Sequence, residues 1–435
     1  MPEISKNVKN GVLAIGDQMV VSAGTFLTVM IVSRNCTAFE VGVFSLTWTV
    51  IAVLRTVQER LIAAPFLAFT YQPRFNRTTY RGSSIAHQLC FAGFSSGVVA
   101  IVALCLPIFS GRIHESALGL SLAVALFFNL ARDQMRALSY TDFSFFRLLL
   151  LDSLVVGSQL VGLLLLSWSQ RFSLINTNII LGIACIAPLV IWLRQIRSTF
   201  EINREWVNFD WFHNWNYARW LVGGRLIGIA PIVAVPWLIA YFRGEEGTGI
   251  YAVCSSLVGL SMMFVTGVNN MFQPRTVLEF QKNGLGGMLA SLFSSITLMI
   301  VVLSIVSLAF WFVGDRLLST YGQNYAQYSF IAFLLSISIL IVSVSCSLGN
   351  GLVALNQSRA LFWSEVSHCV GAVAFAFILI PSYGLHGAAY ASIVGSAAAT
   401  IVSMITLTLG VLAYKQSSAL QHLPVLPAID EIRRI

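Results

Sequence analysis

The chain alternates between long apolar runs and short polar connections. Twelve runs of roughly 15 to 27 residues carry few charges, and a helix needs about 20 residues to cross a bilayer. They predict transmembrane helices at residues 11–33, 41–67, 87–109, 117–131, 148–168, 177–193, 219–242, 249–272, 288–313, 328–348, 361–381 and 387–413. The fourth and sixth runs are short, so we expect these helices to extend beyond the run or to tilt.

The composition requires lipid as the surrounding medium. Charged residues make up 10% of the 435 positions, hydrophobic residues make up 57%, and the mean hydropathy is +0.79. A soluble domain needs about 25% charged residues to cover its surface. Only helices and closed barrels satisfy the backbone in lipid, and barrel strands would be shorter and would alternate in polarity. We therefore predict an all-α polytopic membrane protein with twelve transmembrane helices.

Basic residues are distributed unevenly between the predicted sides of the membrane. Of 26 Lys and Arg residues, 18 fall in segments that lie inside when both termini are cytoplasmic, and five fall in outer loops. This bias predicts that both termini are cytoplasmic. It also accounts for the net charge of +8 without a nucleic-acid partner, because the bases form no patch.

The two halves of the chain are similar to each other. A shift of 207 residues places Gly16 on Gly223 and Gly42 on Gly249, and both second spans run into a Gln-Pro-Arg sequence, at 72–74 and 273–275. These matches and the 6 + 6 count favour a parallel duplication into two pseudo-symmetric lobes. The predicted parts are an N-terminal six-helix lobe (1–193), a cytoplasmic linker (194–218), a C-terminal six-helix lobe (219–413) and a cytoplasmic tail (414–435).

The predicted linker is rich in aromatic residues that alternate with charged and amide side chains. Indole and phenol rings favour the headgroup zone, so we interpret the linker as an interfacial helix on the inner leaflet, in contact with membrane lipids. An aromatic platform for bases or sugar rings is the alternative. The aromatic residues are Phe200, Trp206, Phe209, Trp211, Phe212, Trp215, Tyr217 and Trp220.

The last span carries a regular stripe of small residues. They recur every four positions, which predicts a helix that packs closely against another helix in lipid. The stripe consists of Gly387, Ala391, Gly395, Ala399 and Ser403.

The turn before this stripe carries a family resemblance. Pro381-Ser382-Tyr383-Gly384, followed by Gly387-Ala388-Ala389, resembles the polysaccharide flippases of the multidrug/oligosaccharidyl-lipid/polysaccharide exporter superfamily. Asp17 in the first span, with the loop from Arg34 to Gly42, looks like the first hairpin of that family. The resemblance implies a flippase of the cell inner membrane with two six-helix lobes and alternating access. Its implied substrate is a lipid-pyrophosphate-linked glycan, as in O-antigen export for lipopolysaccharide.

Three charged residues of the second span are candidate substrate-binding groups. An ionisable side chain at mid-bilayer costs roughly 3 kcal/mol or more, so each requires a reason. Arg55 is the deepest, Glu59 lies four residues on and can face it, and Arg60 follows. Arg55 and Arg60 are predicted to attract pyrophosphate while Glu59 holds the Arg55 guanidinium. A self-neutralising Arg–Glu pair is the alternative.

Arg225 is the candidate of the seventh span, just after Gly223 and Gly224. The resemblance implies that it faces Asp17 across a cleft between the lobes and binds substrate. Snorkelling towards the inner surface is the alternative. Pro231 and Pro236 follow and permit kinks in a gating helix.

Three further acids are candidates for coupling transport to H⁺ or Na⁺. Asp17 lies in the first span, and Asp152 and Glu365 lie near the inner ends of the fifth and eleventh spans. Pairing with bases near the inner surface would be the structural explanation of all three.

Enzymatic, metal-binding and nucleotide-binding signatures are lacking in the sequence. The seven cysteines form no Cys-x-x-Cys pair, and there is no Walker-type loop or catalytic triad pattern. We expect no cofactor, no metal and no enzymatic activity. A drug or organic-cation antiporter of the same superfamily is the second hypothesis, and a membrane-embedded glycan polymerase or ligase is the third.

Overall fold

The computed structural model describes residues 2–72, 76–110 and 113–421, and these are helical almost throughout. The first half supplies six of the helices. They are α1 (Pro2–Asn35), α2 (Ala38–Phe69), α3 (Arg77–Ser110), α4 (Ile113–Thr141), α5 (Phe145–Trp168) and α6 (Leu174–Ile183, continued by Ile186–Ile196).

The second half begins with one helical stretch, Arg204–Ser319, that two glycines divide. Gly244 and Gly284 have φ angles of 77° and 61°, a region that glycine favours. The chain reverses at each, since Thr248 Oγ1 donates to the Pro236 carbonyl at 3.3 Å and Thr276 Oγ1 lies 2.9 Å from Ser291 Oγ. The stretch is therefore three helices, α7 (204–243), α8 (245–283) and α9 (285–319).

Three helices complete the chain, α10 (Ser329–Ala354), α11 (Ser358–Tyr383) and α12 (Leu385–Gln421). By length and composition, ten continuous helical stretches of the described residues can cross a membrane. One of these contains α7, α8 and α9, so the number of crossings is twelve. The predicted fold class, an all-α polytopic membrane protein with twelve helices, is confirmed.

The second helix changes its winding halfway along. Residues Glu59–Ala63 form a π-helical turn, in which the Ala64 N–H donates to the Glu59 carbonyl. Pro65 follows, and proline has no N–H to continue the regular pattern. The π-helical turn changes the directions in which the α2 side chains point from Glu59 onwards, one helical turn after Arg55.

The stripe of small residues packs as predicted. Ala391, Ala399 and Ser403 are all buried. A Cβ on Gly395 would lie 2.8 Å from the Ala372 amide nitrogen of α11, so only glycine permits this approach. The helix contacts α10 as well, since Ser403 Oγ lies 3.2 Å from Ser345 Oγ.

The two lobes meet at the ends that carry Gly42 and Gly249, which the basic residues predict to face outside. A Cβ on Gly42 would overlap the Glu245 carbonyl oxygen, and one on Gly249 would lie 2.8 Å from the Gly42 nitrogen. At the same end, Arg34 Nε donates to the Thr320 carbonyl at 2.6 Å. We refer to the Gly42–Gly249 contact as the glycine crossing.

The first turns of α7 lie against the N-terminal lobe. Tyr80 donates to Asn214 Oδ1 at 2.8 Å, and a ring nitrogen of His87 lies 2.8 Å from the Val207 carbonyl. The opposite face, with Phe212, is exposed. The helix begins at Arg204, ten residues after the predicted start of the linker, and continues without a break into the seventh crossing.

Some positions used in the sequence analysis lie outside the described residues. They are Pro73 and Arg74 of the first Gln-Pro-Arg sequence, Arg112 of an outer loop, and Arg433 and Arg434 of the predicted tail.

Candidate functional site

Two adjoining cavities lie between the lobes. The upper cavity, of about 440 Å³, is on the side of the glycine crossing, and the lower cavity is about 570 Å³. Both are lined by Ala52, Arg55 and Arg136, so they form one cleft. The N-terminal lobe supplies most of its wall, and Pro231 and Tyr251 contribute from the C-terminal lobe.

The upper cavity combines apolar and aromatic walls with positive charge. Phe44, Trp48 and Tyr251 supply rings to its lining. Three arginines, Arg55, Arg132 and Arg136, also line it, and no Asp or Glu of the described residues does. The lower cavity differs, because Glu59 and Asp133 line it beside two of these arginines.

Arg55 is accessible from the cleft although it has an acidic partner. Its Nη2 donates to Asp133 Oδ1 at 2.8 Å, its Nε lies 2.6 Å from Asp133 Oδ2, and its side chain remains 47% exposed. The predicted pairing of Arg55 with Glu59 is wrong. Glu59 pairs with Arg60 at 3.2 Å instead, because α4 brings Asp133 to Arg55 while the π-helical turn starts at Glu59.

The two predicted coupling acids Asp17 and Asp152 are joined by one guanidinium. Arg136 Nη2 donates to Asp17 Oδ2 at 2.8 Å, and Arg136 Nη1 donates to Asp152 Oδ2. Arg132 Nε donates to Asp152 Oδ1 at 2.8 Å. Asp17 and Asp152 have no exposed surface, so both carboxylates lie behind the arginines that line the cleft.

Sequence reasoning missed the part that α4 plays in this site. Arg132 and Arg136 were predicted to lie in an inner connection, because the apolar run ends at residue 131. A 15-residue run covers only about 22 Å of a core about 30 Å thick. That shortfall was the available signal, since the helix continues to Thr141 and takes Arg132, Asp133 and Arg136 into the cleft.

Arg225 and Glu365 lie beside each other, away from the cluster around Arg136. Around a Cβ placed on Gly228, Glu365 Oε2 would be 3.1 Å away and Arg225 Nη1 3.8 Å away. Arg225 shares a helix face with Ile229, which lines the lower cavity. Its repeat equivalent, Gln18, also lines that cavity. Arg225 is exposed and lies one helical turn from Ile229, but it is not among the residues that line either cavity.

The resemblance implied that Arg225 faces Asp17, but the ion-pair partner of Asp17 is Arg136. The Tyr140 hydroxyl also donates to Asp17 Oδ2, at 3.2 Å. Within the described ranges, no group of three or more His, Cys, Asp and Glu side chains is placed to hold a metal ion.

The site can be summarised by its charges. The positive charges of Arg55, Arg132 and Arg136 are balanced by the carboxylates of Asp17, Asp133 and Asp152. These two sets of side chains differ in which of them line the upper cavity. Arg55, Arg132 and Arg136 line the upper cavity, and the carboxylates of Asp17 and Asp152 have no exposed surface. An anion in the upper cavity would therefore meet positive charge first.

Solved structures of similar fold are transporters. An inward-facing multidrug resistance MATE family transporter of the MOP superfamily aligns with 94% of this chain and 99% of its own, at a TM-score of 0.76 and 11% identity. An outward-facing one aligns with 94% and 96%, at 0.66 and 12%. A MOP superfamily transporter from Pyrococcus furiosus aligns with 94% and 96%, at 0.61 and 11%.

The chain thus has the fold of MATE family transporters of the MOP superfamily. At this identity the likeness concerns the fold, and it confirms the two-lobe, twelve-helix architecture that the resemblance implied. No family model and no curated protein sequence matches the chain.

Proposed function

We propose that this protein is an alternating-access flippase of the inner membrane that translocates a lipid-pyrophosphate-linked glycan. The observation that carries the proposal is the upper cavity, which lies between two lobes and is lined by three arginines and, among the residues that the structure describes, by no carboxylate. Guanidinium groups bind phosphate oxygens through pairs of parallel hydrogen bonds. A cation, in contrast, would find the two innermost carboxylates already occupied by arginine.

The conformation supports entry from one side. The glycine crossing joins the lobes at the predicted outer end, whereas Gln18, Glu59 and Arg225 are exposed towards the other end. With both termini cytoplasmic, this arrangement is an inward-facing state. The substrate headgroup enters past Arg225 and reaches Arg55, while the lipid tail stays in the bilayer.

The site residues then have distinct roles. Arg55, with Arg132 and Arg136, receives the pyrophosphate, and the aromatic rings of the upper cavity offer apolar faces to the sugars. Arg225 and Arg60, with Glu59, act at the cleft mouth. Asp17 and Asp152 couple transport to H⁺ or Na⁺ in the states in which Arg136 releases them, and Glu365 is a further coupling acid beside Arg225.

Antiport of organic cations is the second candidate function. Glu59 and Asp133 line the lower cavity, which favours it, and several neighbours in fold are multidrug transporters. The upper cavity favours the anion. The Pyrococcus furiosus transporter is described as having a binding pocket of reverse polarity that suggests a different function, so this fold accommodates both signs of charge.

Binding by the purified protein separates the two candidates. We expect a polyprenyl-pyrophosphate-linked oligosaccharide to raise the unfolding temperature, and tetraphenylphosphonium to leave it unchanged. Arg55→Gln should abolish the shift, and Arg171→Gln, a change at an exposed outer residue, should retain it. Stabilisation by tetraphenylphosphonium alone would establish the antiporter instead.

A further inference from the structure

Arg136 is shared between buried acids and the cleft. Its guanidinium bonds Asp17 on α1 and Asp152 on α5, and the residue also lines both cavities. A guanidinium has five N–H donors, and an anion in the cleft would compete with the two carboxylates for them. If Arg136 turns towards the anion, the carboxylate that has no second cationic partner loses most of its stabilisation.

Asp17 is the less well compensated of the two. Among the described residues, Arg136 is the one cation at ion-pair distance from Asp17, and Asp17 Oδ1 receives no hydrogen bond. Asp152 would keep Arg132 if Arg136 turned away. Movement of Arg136 towards the cleft therefore removes the ionic partner of Asp17 and leaves the Tyr140 hydrogen bond, whereas Asp152 keeps Arg132.

We propose that the substrate anion and one proton bind together, because Arg136 exchanges Asp17 for the anion and Asp17 becomes a neutral carboxylic acid. This inference rests on the proposed anionic substrate. A buried carboxylate that has lost its cation is strongly destabilised, and protonation removes the charge. The proton comes from the aqueous cleft, which Tyr140 lines while its hydroxyl is bonded to Asp17.

The surroundings of Asp17 single it out as the site of protonation. Asp133 is paired with Arg55, Glu59 is paired with Arg60, and Asp152 retains Arg132. The charged and titratable groups in this region are Arg55 and Glu59 of α2, Arg132, Asp133, Arg136 and Tyr140 of α4, Asp152 of α5, and Cys185 at the break in α6.

The coupling has a defined sign. Because linkage is reciprocal, a proton on Asp17 tightens anion binding as much as the anion favours that proton. An exchanger in which ion and substrate compete would show the opposite dependence. Each exported anion carries one proton with it, so an inward proton gradient opposes export. The anion and its proton together still carry negative charge, and a membrane potential that is negative inside favours the export of that charge.

Proton uptake on binding tests the proposal. The probe is farnesyl pyrophosphate, titrated by calorimetry into the purified protein in two buffers whose heats of ionisation differ. We expect wild type to take up one more proton per bound ligand than Asp17→Asn, because the ligand's own protonation cancels in the comparison. The affinity ratio of wild type to Asp17→Asn should fall by up to about tenfold per pH unit where Asp17 is ionised in the free protein.

A matched control and a second measurement complete the experiment. Asp142→Asn removes another carboxylate held by two arginines, Arg77 and Arg81, outside the cleft, and should leave proton uptake as in wild type. Should Asp17→Asn fail to fold, infrared spectra of wild type suffice, since farnesyl pyrophosphate should produce the C=O band of a new carboxylic acid.

The possible failures are distinguishable. Binding with equal proton uptake in wild type and Asp17→Asn, or without the infrared band, overturns the exchange and leaves the anionic substrate standing. If the folded wild-type protein does not bind the probe at all, the proposed function and the exchange fail together.

Discussion

The glycine crossing predicts how alanine would change the populations of the proposed inward-facing and outward-facing states. A Cβ on Gly42 would overlap the Glu245 carbonyl oxygen and lie 2.7 Å from its carbonyl carbon and 3.0 Å from the Gly249 nitrogen. These are backbone atoms of α8, which cannot rotate away. The atom nearest to the Cβ would be the Glu245 carbonyl oxygen. Because non-bonded atoms in contact lie about 3.5 Å apart, the helices must separate by roughly 1.5 Å at this end.

The magnitude follows from the cost of overpacking. One extra methyl group in a close helix contact costs roughly 1–3 kcal/mol. An outward-facing state separates the lobes at this end and avoids that cost. The Gly42→Ala substitution should therefore shift the equilibrium towards the outward-facing state by roughly 5- to 150-fold.

Distances between spin labels at the outer ends of the lobes measure this shift. Labels at Ser169 and Ser382, both exposed, report the separation once the native cysteines have been replaced. Gly42→Ala and Gly249→Ala should both enrich the long distance. Gly259→Ala is the matched control on α8, because its Cβ would meet nothing within 4 Å. Distance distributions that are the same in all three variants would refute the reasoning.

Three further substitutions probe the site and its supports. Asp133→Asn removes the carboxylate that pairs with Arg55. It should raise the affinity for farnesyl pyrophosphate, measured by calorimetry, by up to about tenfold, because Asp133 no longer competes with the ligand for Arg55. Weaker binding would contradict this prediction. Gly82→Ala places a Cβ against the backbone that precedes α7 and should speed hydrogen exchange at residues 200–218. Gly93→Ala is the control, because its Cβ would meet nothing within 4 Å, and equal exchange in the two variants would contradict this prediction. Gly395→Ala should destabilise the α11–α12 contact by roughly 1–3 kcal/mol, seen as a lower unfolding temperature, and an unchanged temperature would count against close packing there.

The fold was largely predictable because lipid constrains it so strongly. Apolar runs predicted twelve crossings, and the repeat aligned Gly42 with Gly249, which are in contact in the structure. The contact itself was beyond prediction, since a repeat relates positions but does not say which ones meet at the interface. Two glycines on pseudo-equivalent helices meet here because neither carries a Cβ.

The site was less predictable because charge pairs between helices leave no local pattern. Arg55 was identified from its depth, but its partner Asp133 lies 78 positions away, on a helix whose apolar run had already ended. Local spacing favoured Glu59 instead. The link from Asp17 to Asp152 through Arg136 likewise joins three helices and became visible only in the structure.

Transport by the protein alone tests the central claim most directly. Proteoliposomes with fluorescently labelled polyprenyl-pyrophosphate-linked oligosaccharide in both leaflets would be exposed to a membrane-impermeant quencher. We expect rapid exchange of the labelled lipid between leaflets with wild type, and only the slow exchange of protein-free liposomes with Arg55→Gln. If wild type leaves half of the label protected, as protein-free liposomes do, while the same vesicles exchange an organic cation for protons, the arginine-lined cleft does not serve a lipid-linked glycan.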